Sequence, residues 1–190
     1  MDITFAPRGI LQINDARIVY RNFEGVGNPP YNREGDRNFS LVIPEQNLTM
    51  EEVNNIVDLY SEARIEETEN GPLLMFDGNP VVTVADSLQA MGWNVKIKPA
   101  REEGADPFMH LPVKVNFNDR GPAIYLISGD AQNRLDEETV HRLDKIDILS
   151  VNLDIRPYDW RLNGKSGRAA YLQSMEVFQK FDRIAAKYER

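Results

Sequence analysis

Two alternating stretches near the end of the chain, Ile148 to Leu162 and Arg168 to Gln179, flank the segment Asn163-Gly164-Lys165-Ser166-Gly167. This arrangement constrains the fold more than any other feature. Asn-Gly between alternating runs signals a tight hairpin, because both residues tolerate the positive φ that such a turn demands. In the first arm, alternation places Val151, Leu153 and Ile155 on a buried face. It places Asn152, Asp154, Arg156, Tyr158 and Trp160 on the opposite face, with Arg161, Lys165 and Arg168 around the turn.

The remainder also reads mainly as strands. Gly9 to Phe23 alternates as a long or bulged strand, with Ile18 and Tyr20 on one face and Arg17, Val19, Arg21 and Phe23 on the other. Residues 25–35, rich in Gly, Pro and Asn, form a loop carrying Tyr31 and Arg33. Arg37 to Ile43 is a second strand that stops at Pro44 and pairs with the first as a hairpin with a long tip. Thr49-Met50-Glu51-Glu52 resembles a capping box, and Val53, Ile56, Val57 and Tyr60 follow at helical spacing. That helix is expected to run to between Arg64 and Glu67, with Asn70-Gly71-Pro72 as its stop. Further expectations are a short helix over 84–91 closed by Gly92, strands over 93–98, 111–117 and 123–127, a short helix over 135–143, and a basic helix at the C-terminus.

Composition narrows the function classes. At 190 residues the chain suits one generous domain, and the expected organisation is a single OB-type domain over 1–190 with 44–110 as an insertion-rich middle. There is no cysteine, which removes disulfides, thiolate metal sites and cysteine nucleophiles together. With no signal-peptide pattern at the start and no run of roughly 18 apolar residues, the expectation is a cytoplasmic protein without a membrane partner. The net charge of −8 argues against a polyanionic partner until its distribution is considered. Residues 44–72 hold eight carboxylates and one Arg, a net of −7, whereas 148–190 hold eight Lys or Arg and five carboxylates, a net of +3. The acidity is local, and the C-terminal portion is basic.

A ribbon tipped with cations and faced with aromatics suits single-stranded nucleic acid. Bases stack on aromatic faces at roughly 1–3 kcal/mol each while Lys and Arg follow the phosphates. Lys145-Ile146-Asp147-Ile148, then Leu153-Asp154-Ile155-Arg156, Trp160, Asn163-Gly164-Lys165-Ser166-Gly167 and Tyr171 resembles the closing hairpin of single-stranded DNA-binding proteins. Arg37 to Ile43 resembles the early strand of that family that pairs with its first. With the long middle insertion, the whole chain is similar to phage-encoded members more than to the shorter bacterial type. The resemblance implies an OB-type β-barrel, elaborated by a long acidic helix and an extra hairpin, that binds single-stranded DNA in phage-type replication or recombination. It implies no cofactor, a host-cytoplasm setting, and replication or recombination proteins as further partners. The binding residues it implies are Arg156, Tyr158, Trp160, Lys165 and Arg168, then Arg17, Arg21, Phe23, Tyr31, Arg33 and Arg37 from the first hairpin. Many members end in an acidic tail, whereas this sequence ends Ala185-Ala186-Lys187-Tyr188-Glu189-Arg190, a departure that puts tail-mediated recruitment in doubt. An exposed strand edge offers a route to a homodimer.

Competing readings are plainer. Tyr158 and Trp160 could be core residues covered by the acidic helix, and Phe39 and Tyr171 fit a core better than a ligand site. Trp93, after a helix stop, belongs outside the site. Gly164-Lys165-Ser166 resembles the end of a P-loop but lacks its upstream glycine and its strand-to-helix setting. His110 and His141 have no carboxylates spaced to complete a metal set. Asp147 and Asp159 stand too far apart on an extended strand to share an ion with Asp154, so neither a metal site nor an enzyme is expected. The alternative function is an acidic phage or mobile-element interaction protein, a DNA mimic that inhibits a host nucleic-acid enzyme through residues 44–72. A structural virion component is a third reading.

Overall fold

A computed structural model describes residues 1–99 and 106–180 together with Ile184 and Lys187. The strands and helices in chain order are β1 (Asp2–Phe5), β2 (Leu11–Ala16), β3 (Ile18–Asn22), β4 (Arg37–Ile43), α1 (Met50–Leu59), β5 (Ala63–Thr68), β6 (Gly71–Phe76) and β7 (Asn79–Val81). There follow α2 (Val84–Ala90), β8 (Lys96–Lys98), β9 (Phe108–Val115), β10 (Ala123–Ser128), β11 (Ala131–Leu135), a 3-10 turn at Val140–Asp144, β12 (Ile148–Leu162) and β13 (Lys165–Gln179).

The protein is mainly β, and its large sheet has the OB order. From β2 the ladder passes to β12, β13, β9, β4 and β3. The pairs are antiparallel except β13 with β9, which run parallel. Since β2 and β3 are separated only by Arg17, the path returns to the chain segment on which it began. Ala16 pairs with Val151 on one side, and Ile18 pairs with Leu41 on the other. This is the 1-2-3-5-4-1 closure of an OB barrel. Apolar side chains at alternate positions fill the interior: Leu11, Ile13, Phe39, Leu41, Leu111, Val113, Val151, Leu153 and Ile155 are all buried. β1 extends the sheet beside β2, and β10 with β11 adds a hairpin along the C-terminal half of β13.

The final hairpin forms as the alternation indicates. Asn163 and Gly164 take φ values of 51° and 76°, the turn occupies only those two residues, and Lys165 to Gly167 already belong to the return strand. The capping box also forms: the Thr49 hydroxyl accepts from the Glu52 N–H at 3.1 Å, and the Glu52 carboxylate accepts from the Thr49 N–H at 3.4 Å. Helix α1 buries Val53 and Ile56, and Asn55 grips β1 by accepting from Phe5 N at 2.7 Å and donating to Phe5 O at 2.9 Å.

Several expected elements differ. The acidic helix ends at Leu59, and Ala63–Thr68 becomes a strand paired with Gly71–Phe76. The reason is that Glu69-Asn70 forms a second hairpin turn, with Gly71 opening the return strand at φ 105°, and not a helix stop. The acidic residues are therefore divided between α1 and β5, with Glu52 drawn inward as a capping partner. Residues 135–143 do not form an α-helix. Leu135 closes β11, and Asp136 accepts from the Glu138 and Thr139 N–H groups at 2.9 and 3.0 Å, which holds a turn ahead of the 3-10 segment. Of the expected 93–98 strand only Lys96–Lys98 forms a ladder, with Trp93 in an isolated bridge, and 9–23 is broken at Arg17. The C-terminal helix expected beyond Gln179 lies outside the described residues except for Ile184 and Lys187, which are helical.

Candidate nucleic-acid interface

Residues opposite each other in a ladder share a face, so register maps the outer surface of the barrel. One row crosses four strands: Asn38 on β4 faces Lys114 on β9, Lys114 faces Tyr171 on β13, and Tyr171 faces Arg156 on β12. Tyr171 is its centre. The Arg156 guanidinium lies 5.0 Å from the ring centroid and Lys114 Nζ lies 5.8 Å from it, so the ring has two cations for neighbours. Tyr158 meets the same ring edge-on, with centroids 5.8 Å apart.

The face continues onto the hairpin. Tyr158 opposes Ala169, Trp160 opposes Gly167, and Leu162 opposes Lys165. Tyr158 and Trp160 are 53% and 41% exposed, which places both rings at the surface and not under a helix. A Cβ at Gly167 would lie 2.7 Å from Trp160 Cζ2, so the indole lies flat on the backbone of its partner, a placement that any larger residue there would displace.

At the other end lies a second aromatic group. Tyr20 stacks on Phe108 at 6.3 Å and meets His110 edge-on at 5.4 Å, while His110 Nδ1 lies 2.9 Å from Ser40 Oγ. His110 faces Val42 on β4 and Lys96 on β8, and Phe108 faces Lys98. Burial, and then the charges of Lys96 and Lys98, hold the His110 pKa below its ordinary value, so the ring is neutral at neutral pH.

The candidates from the sequence divide between this face and the interior. Arg156, Tyr158, Trp160 and Lys165 lie on the face. Arg17 is exposed beside it: its carbonyl accepts from Val42 N at 2.9 Å, which sets it in the row of Val42 and His110. Tyr31, 82% exposed, and Arg33 stand in the 25–35 loop, whose Asn32 Oδ1 accepts from Asn38 Nδ2 at 2.7 Å and so brings the loop to the edge of the Lys114 row.

Four candidates do not fit. Phe23 is fully buried and stacks on Phe39 at 5.4 Å, so it has no face to offer a base. Arg21 Nη1 donates to the carbonyls of Leu143 and Ile146, both at 2.7 Å, tying β3 to the 3-10 segment. Arg37 donates to Phe23 O at 2.9 Å and pairs with Glu137 at 3.2 Å. Arg168 points to the opposite face of the hairpin, where both Asp159 carboxylate oxygens engage it at 2.7 and 3.2 Å. This pairing lowers the Asp159 pKa and raises that of Arg168.

Sequence reasoning missed Tyr20, Phe108, His110 and Lys114 and assigned Tyr171 to the core. The shared face of Lys96 and Lys98 was visible as alternation. The parity of Tyr20 was not, because a bulge at φ 53° reverses it. Among the described residues no group of three or more His, Asp or Glu side chains could hold a metal ion, and no helix is long and apolar enough to cross a membrane.

An OB barrel whose outer face carries alternating cations and aromatic rings defines an oligonucleotide-binding type of surface. The chain belongs to the phage single-stranded DNA-binding domain family: the model of the family described as "Putative phage ssDNA-binding domain" matches residues 3–76 and 70–190. Solved structures of the single-stranded DNA-binding protein from bacteriophage Enc34 are similar over most of their length. The C-terminally truncated form aligns at 12% identity and TM-score 0.48 over 95% of this chain and 91% of that one. The form in complex with single-stranded DNA aligns at 11% and 0.48 over 95% and 92%. No curated protein matches the sequence.

Proposed function

We propose that this protein binds single-stranded DNA without sequence preference on the face that runs from Tyr20 and His110 across Lys114, Tyr171 and Arg156 to Tyr158 and Trp160, and that it serves phage DNA replication or recombination. The observation that carries the reading is the Lys114–Tyr171–Arg156–Tyr158 row, in which cations and rings share one exposed surface of an OB barrel. Rings accept any base because every base has a π-face, and Lys114, Arg156, Lys165, Lys96, Lys98 and Arg17 follow the phosphates. Duplex DNA offers no unstacked bases to these rings, so preference for single strands follows from the chemistry. Membership of the family supports the same ligand. The binding chemistry needs no cofactor and no catalytic group.

The test is a titration of fluorescently labelled oligo-dT at low and moderate salt, with duplex of equal length as competitor. Tight, salt-sensitive binding that ignores duplex and quenches Trp160 supports the reading. Absence of binding at low salt overturns it.

A further inference from the structure

We infer that Trp93, Arg168 and Asp159 form a strut that fixes the angle at which the β12/β13 arm leaves the barrel, which makes all three positioning residues for the interface. The inference rests on the reading that this arm stacks bases. Ladder pairing with the barrel stops early: β9 reaches only Ala170 and Tyr171 of β13, and β2 reaches only to Ile155 of β12. Beyond them the five pairs from Tyr158–Ala169 to Leu162–Lys165 join the arm only to itself among the described ladders. An isolated two-stranded ribbon is marginal in water, so an arm that presents Tyr158 and Trp160 at a defined angle needs support from outside its own ladder.

That support comes from the segment after α2. Gly92 adopts φ 92° and turns the chain, Trp93 N donates to Leu88 O at 3.0 Å, and Trp93 forms a parallel bridge with Arg168. The indole is 4% exposed, and the Arg168 guanidinium lies 5.5 Å from its centroid while its fork holds both oxygens of Asp159. Trp93 Nε1 is buried without a hydrogen-bond partner among the described residues, so packing and the overlying guanidinium set the ring. Only arginine joins the two ends of this contact, since its planar group can lie on an indole and grip a carboxylate bidentately at once. On the other flank a Cβ at Gly9 would lie 3.0 Å from Pro157 Cγ, so the arm's root is pressed from both sides. Trp160 lies flat on Gly167, and Asp159 and Arg168 are their chain neighbours. A tilt at the strut therefore moves the stacking ring directly.

With no native cysteine, nitroxide labels at Ser166→Cys on the arm and Gln12→Cys on β2 report the arm's angle as a distance distribution. The expected result is a narrow distribution in the labelled protein that broadens in Arg168→Gln and in Trp93→Leu. Oligo-dT affinity falls about tenfold as pre-organisation is lost, with the salt slope retained. Arg168→Lys behaves like Arg168→Gln, because the ammonium keeps the charge and loses the fork. An unchanged distribution in Arg168→Gln overturns the strut, and this surface variant decides the matter even should Trp93→Leu not fold. Wild-type affinity in Arg168→Lys, beside a salt slope lower by about one in Arg168→Gln, also overturns it and makes Arg168 a phosphate ligand. If the labelled protein fails to bind oligo-dT, the stacking reading falls, and the width of the distribution still decides the strut.

Discussion

The two hairpins of the barrel have similar ingredients and use them in opposite ways. Each carries aromatic residues and several arginines in alternating sequence. In the β12/β13 hairpin the two-residue turn keeps the strands in phase around Trp160, so parity read from Val151, Leu153 and Ile155 correctly sends Tyr158 and Trp160 outward. In the β3/β4 hairpin the register slips between Val19 and Asn22, with Tyr20 at positive φ. Ile18 and Phe23 then pack inward, Tyr20 turns out, and Arg21 and Arg37 are drawn to backbone carbonyls. Composition alone does not separate a binding hairpin from a structural one. Phase does.

This contrast can be broken by experiment. The largest effect is expected at Phe23→Ala, which should lower unfolding free energy by about 3–5 kcal/mol in urea titration, because a fully buried ring leaves a cavity. Arg21→Gln should follow at about 1.5–3 kcal/mol, as two charged hydrogen bonds to Leu143 O and Ile146 O are lost. On the other hairpin the loss should appear in binding: Tyr158→Ala or Trp160→Ala should each weaken oligo-dT by roughly 1–3 kcal/mol. Their unfolding midpoints should move little. A Trp160→Ala variant that unfolds like Phe23→Ala would erase the distinction. Lys114→Gln and Lys165→Gln should each reduce the salt slope by about one, measured as log affinity against log salt.

The smallest expected effect concerns pH. The folded-state pKa of His110 is depressed by burial and by Lys96 and Lys98, so the neutral ring is the one the fold accommodates. Its contribution to stability is fully present above the ordinary histidine pKa and is lost as pH falls from there through the depressed folded value. Thermal unfolding of His110→Gln between neutral and mildly acidic pH should show a shallower decline than the parent.

How much of this was legible in the sequence follows from what each signal measures. The capping box at Thr49 and the Asn163-Gly164 turn are local devices and were readable as such. Asn70-Gly71 was equally local and was misassigned, because the helical spacing before it masked the strand that begins at Ala63. The OB barrel was accessible through the hairpin and its resemblance to a family, while its closure through Arg17 depends on two ladders remote in sequence. On the candidate face, Arg156, Tyr158, Trp160 and Lys165 followed from the part of the β12/β13 pair that stays in phase, between the register shift at Asp154/Ile155 and the turn. Tyr171 could have been placed the same way, since the two-residue turn sets it opposite Arg156, but Lys114 could not: its contact with Tyr171 is a parallel one between strands more than fifty residues apart, and no periodicity reports it.

The register of β4 and β9 has a further consequence. Ile43 and Met109 face each other in the ladder, so the chain leaves the barrel and re-enters it at practically one point. Among the described residues the segment between them meets the barrel again at Asn55 on β1, at β8 along β9 and at Trp93 beside Arg168. Changes of length in the exposed turns of that segment alter no pairing between β4 and β9, so those turns can lengthen without the barrel being rebuilt.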